Sequence, residues 1–75
     1  MDDRILEIAE NTIKLSREEL LSHYKELPEI EGYYFWNPAR GGLSVIVGKD
    51  ETKLGATSAV SFQKHLLAYK SGKRN

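Results

Sequence analysis

Two histidines, several hydroxyls and a few carboxylates are the side chains of this 75-residue sequence whose spacing could support chemistry. Glu19, His23 and Glu26 recur at i, i+4 and i+7, so on one helix they would share a face and offer two or three metal ligands. A second element would have to complete such a site, and His65 is the only other imidazole. With no cysteine and no HExxH pattern, a solvated helix face is the plainer reading, and no metal or other cofactor is expected. Ser61 and His65 stand one helical turn apart, and a serine–histidine pair can make a nucleophile. No nucleophile elbow or oxyanion donor accompanies this pair. Ser61 reads better as a helix cap, and His65 as a helix-surface or core-edge residue. Arg40-Gly41-Gly42 leads into a strand, whereas a Walker loop or a dinucleotide fingerprint opens a helix. The glycines read as hairpin chemistry with Arg40 exposed at the tip. The chain is therefore expected not to be an enzyme.

A binding role has more material. Residues 1–37 hold nine acidic and four basic side chains and residues 38–75 hold two and seven, so zero net charge conceals halves of −5 and +5. That asymmetry can orient a chain toward a charged partner or a second copy; the bland alternative is segregation of solvated helix faces. Arg40, Lys49, Lys53, Lys64, Lys70, Lys73 and Arg74, with the aromatics, raise nucleic-acid binding as an alternative. Against it stand a pI near 6.7 and the absence of an RNP, KH or helix-turn-helix signature.

The elements that must position these residues centre on Tyr33, Tyr34, Phe35 and Trp36, four of the seven aromatics. In a strand, Tyr33 and Phe35 face one way and Tyr34 and Trp36 the other, so both faces need cover. Either the chain's own helices wrap both sides or a partner supplies the second layer. Upstream, a helix is expected from Asp3 to Lys14, started by Asp2 or Asp3. Ser16 to Glu19 fits a capping box, with Leu15 and Leu20 as its hydrophobic staple. A second helix should then run from Arg17 to Leu27, stopped by Pro28, with Leu20, Leu21, Tyr24 and Leu27 as its buried stripe. One continuous helix over residues 3–27 is the alternative. Strands follow at 32–37, 43–48 and 53–57, then a helix from Val60 or Phe62 to Ser71 capped by Ser58 or Ser61. Residues 72–75 read as a frayed basic tail.

From Gly32 onward, GYYFW and then GGLSVIVGKDETKLGATSAVSFQKHLLAY resembles the small α+β immunity-type proteins encoded beside bacterial polymorphic toxins. The likeness covers about 40 residues and rests on the order of elements: aromatic strand, glycine-led strand, acidic turn, third strand and final helix. Glu51-Thr52 departs from it, standing where a glycine would be expected. The resemblance implies a non-enzymatic protein that binds and neutralises a toxin.

The expectation is one α+β domain over residues 1–75, a three-stranded antiparallel meander packed against helices in the order α-α-β-β-β-α. Its core should comprise Ile8, Leu20, Tyr24, Phe35, Val45, Val47, Leu54, Phe62 and Leu66. With no signal-like or membrane-spanning segment, a cytoplasmic location is expected. The expected function is a non-catalytic protein-binding module, self-association included. Its surface should be the sheet face of Tyr34, Trp36 and Ile46, rimmed by Arg40.

Overall fold

Four antiparallel strands in spatial order β1-β2-β3-β4 run through the middle of the chain: β1 (Tyr24–Leu27), β2 (Gly32–Trp36), β3 (Ser44–Gly48) and β4 (Lys53–Ala56). Helices α1 (Asp3–Ile13) and α2 (Arg17–Ser22) precede the sheet and α3 (Phe62–Lys70) follows it. The computed structural model describes residues 2–39 and 41–75. The α+β class is as expected; the strand count and element order are not.

Local chemistry explains the helix boundaries. Asp2 Oδ1 accepts the Arg4 amide at 2.8 Å, and α1 stops where Lys14 turns left-handed at φ 58°. Ser16 Oγ accepts the Glu19 amide at 3.2 Å, so the cap read from the sequence starts a separate second helix. That helix ends at Ser22, five residues short of the expected Leu27. Residues 24–27 instead form β1, with Tyr24 opposite Phe35, Lys25 opposite Tyr34, Glu26 opposite Tyr33 and Leu27 opposite Gly32. A short 3₁₀ turn, Pro28–Ile30, and left-handed Glu31 (φ 51°) reverse the chain between β1 and β2. The Tyr-Lys-Glu-Leu segment is compatible with either state, and pairing with the aromatic strand decides for the sheet. Tyr24 consequently leaves the expected core and is 41% exposed, its ring 6.1 Å from Phe35.

The sheet carries a hydrophobic layer on each face. Ile5, Leu6, Ile8, Ala9, Ile13 and Leu20 pack on Phe35, Val45 and Val47. On the other face Leu27, Ile46 and Tyr69 are buried among Ile30, Tyr34, Leu54, Phe62 and Leu66. The single core expected from the sequence is thus two cores. The chain's own helices lie against both faces of the aromatic strand. Strand β3 is buried at every position, which explains its nearly unbroken apolar sequence.

Ser61 caps α3, its Oγ accepting the Lys64 amide at 3.3 Å. Gly72 adopts φ 100° at the far end, the left-handed conformation that suits glycine after a helix. Beyond it the expected frayed tail is exposed but attached. Lys73 N–H donates to Ala68 O at 3.1 Å, and the Arg74 guanidinium lies 3.5 Å from the centre of the Tyr69 ring. No described helix is long and apolar enough to cross a membrane.

Candidate functional site

Residues singled out for chemistry are mostly dispersed by the fold. Because α2 ends at Ser22, Glu26 sits on β1 and shares no helical face with Glu19 and His23. His23 closes α2, its Nδ1 3.0 Å from Glu19 O, and its ring meets Trp36 edge-on at 6.0 Å. Among the described residues no group of three His, Asp or Glu side chains is placed to hold a metal ion. Ser61 is occupied as the α3 cap.

His65 has a different partner, which the sequence reading missed. Its Nε2 lies 2.6 Å from Leu54 O and its Nδ1 3.3 Å from Ser44 Oγ. A carbonyl can only accept, so Nε2 carries the proton and Nδ1 accepts from the serine hydroxyl. Burial pushes the imidazole pKa below its ordinary value, with the Leu54 carbonyl opposing that shift. The pair is sealed, with His65 1% and Ser44 6% exposed, and a backbone carbonyl stands where an orienting carboxylate would be. This arrangement locks α3 to β3 and β4.

A groove of about 500 Å³ opens between the β1–β2 side of the sheet and the start of α3. Lys25, Tyr34, Trp36, Leu43, Val60 and Phe62 line it, with Ser44 at its base. Tyr34 is the hinge of the aromatic packing. It stacks on Trp36 at 5.6 Å and 27°, and meets Phe62 edge-on at 4.7 Å and His65 at 5.8 Å. Rings held in offset and edge geometries are fixed in orientation, so the wall is preorganised. Lys25 reaches from β1 to sit 4.8 Å from the centre of the Phe62 ring. Leu43 and Val60 complete the rim, 40% and 38% exposed.

Of the four surface residues expected from the sequence, Tyr34 and Trp36 lie side by side in this groove and are half-buried. Ile46 shares their sheet face but is fully buried beneath α3, so it cannot touch a partner. Arg40 lies outside the described residues. Lys25, Leu43, Val60 and Phe62 were not foreseen as site residues. The two apolar residues flanking the Ser61 cap, Val60 and Phe62, were the signal that could have found two of them. Compared with protein-family models, curated proteins and solved structures, the chain has no match.

Proposed function

We propose that this chain is a non-catalytic, cytoplasmic protein-binding module whose contact surface is the groove of Tyr34, Trp36, Leu43, Val60 and Phe62. The observation that carries the reading is the coincidence of a rigid aromatic wall with exposed aliphatic side chains in one concavity. Contiguous apolar surface of this kind is favourable to cover, and buried aromatics in pockets dominate binding energies. Lys25 at the rim favours a partner that brings an apolar side chain with an acidic neighbour. The immunity-type resemblance of the stretch from Gly32 agrees with this reading and makes a bacterial toxin domain the first partner to test.

Nucleic-acid binding by the basic half is less well supported. Lys49 lies 3.9 Å from Glu31, Lys70 2.6 Å from Glu29, and Arg74 is held over Tyr69. Three of its cations are thereby committed within the chain.

Val60→Glu and Trp36→Ala should leave the circular dichroism spectrum unchanged and abolish retention of the partner that the unaltered chain captures from its native cytoplasm. A partner retained equally by both variants, or a nucleic acid as the only captured species, would overturn the proposal.

A further inference from the structure

The two edges of the sheet are guarded by different means. At β4, Val45 lies opposite Gly55 and Val47 opposite Lys53, while Gly48 N–H donates to Thr52 O. This phase turns the backbone groups of Leu54 toward β3 and those of Lys53 and Gly55 outward. Both outward positions are engaged by one residue. Asn75 N–H donates to Lys53 O at 3.0 Å, and Asn75 Oδ1 accepts the Gly55 amide at 3.1 Å. Asn75 is held there by its neighbour: Arg74 donates to Tyr69 O at 2.6 Å and packs on the Tyr69 ring. Residues 73–75 thus form a strap across the β4 edge.

At β1 the outward groups belong to Tyr24 and Glu26, and among the described residues no strap covers them. Side chains guard this edge instead. A two-fold pairing of β1 with a second copy centred on Lys25 would set two lysines opposite one another, and Pro28 beyond the strand has no N–H. Strand β4 carries no such obstacle. Centred on Leu54, a two-fold antiparallel pairing places Lys53 opposite Gly55 of a second copy, so donor meets acceptor at both positions and no like charges face. The two Leu54 side chains meet at the axis.

From this self-complementary edge and the residue that occupies it, we infer that the strap of residues 73–75 is an intramolecular block on dimerisation, and that its release lets β4 pair with β4 of a second copy. The inference is independent of the groove, which lies at the β1–β2 side.

Arg74→Ala/Asn75→Pro removes the anchor, the Asn75 N–H and its side-chain acceptor together. Sedimentation velocity should show this variant dimerising with a Kd at least about tenfold below that of the unaltered chain. Adding Lys53→Pro deletes an outward-facing N–H without touching the β3 ladder, and should return the variant to monomer. In the double variant, exchange protection of the Gly55 amide should rise with protein concentration. A strapless variant that remains as monomeric as the unaltered chain, a dimer that survives Lys53→Pro, or Gly55 protection independent of concentration overturns the inference.

Discussion

A neutral imidazole sealed between a hydroxyl and a carbonyl makes His65 the residue whose protonation matters most to the fold. Its cation would place Nδ1–H against a serine that now donates to it, inside an apolar layer that disfavours charge. The folded-state pKa is lowered, so between that value and the ordinary pKa of about 6.5 the unfolded chain binds more protons than the folded one. Stability from this group is therefore full above about pH 6.5 and is lost as pH falls below it. His65→Gln keeps a donor and an acceptor without a titrating proton. Urea midpoints measured from pH 7.5 to 5.5 should fall more steeply for the unaltered chain than for His65→Gln. Parallel slopes would mean that His65 contributes no linkage. The pairing itself was hidden from the sequence because Ser44 and His65 are 21 residues apart. Helical spacing pointed to Ser61, whereas sheet register and the docking of α3 select Ser44.

At the scale of elements, α3 is seated by a close fit between Tyr69 and Gly48. The Tyr69 hydroxyl bonds Thr52 Oγ1 at 2.8 Å, and a Cβ on Gly48 would collide with that hydroxyl while the ring carbon Cζ would lie 3.2 Å away. Gly48→Ala should therefore cost about 1–3 kcal/mol by overpacking. Tyr69→Phe alone should lose about 1 kcal/mol with the Thr52 bond. Combined, the second change removes the nearer of two clashing atoms and leaves Asp50 Oδ1, 2.8 Å from the added Cβ, so the double variant should recover part of the loss and be more stable than Gly48→Ala. Additive losses in chemical denaturation would show that Tyr69 does not sit as described. Elements with local determinants were legible: Asp2 and Ser16 mark two helix starts, and glycine-bounded apolar runs mark β2 and β3. Strand β1 was not, because Tyr24 and Leu27 fit a helical stripe with Leu20 and Leu21 as well as a strand, and only pairing with β2 distinguishes them. For the same reason the groove was half legible. Tyr34 and Trp36 belong to an unambiguous strand, whereas Lys25 reaches the site only if its segment is sheet.

Across the whole molecule, three ion pairs among the described residues join the two oppositely charged halves. Arg4 bonds Glu51 at 2.7 Å, Lys70 bonds Glu29 at 2.6 Å and Lys49 faces Glu31, each pair joining one half to the other. These groups are about half exposed or more, so each pair contributes little and docking of the layers falls to apolar burial. That burial is unequal. The α1–α2 layer encloses nine buried residues, including Ile13, Leu20 and Phe35, whereas the α3 layer fully encloses Leu27, Ile46 and Tyr69 and leaves Phe62, Leu66 and Leu54 part-exposed. Leu67 on α3 is 68% exposed and adds little to the packing. Opening α3 alone therefore forfeits less apolar contact than opening α1, and regions with fewer buried contacts open at lower free energy. Native-state hydrogen exchange should find the amides of Leu66 to Lys70 exchanging through a sub-global opening. Those of Ile8 to Ile13 and of β3 should require global unfolding. Acidification below pH 6.5 should widen that gap, because protonating His65 weakens the α3 layer and leaves the other face untouched. Equal protection of α1 and α3 at both pH values would mean that the sheet and its two layers unfold as one unit.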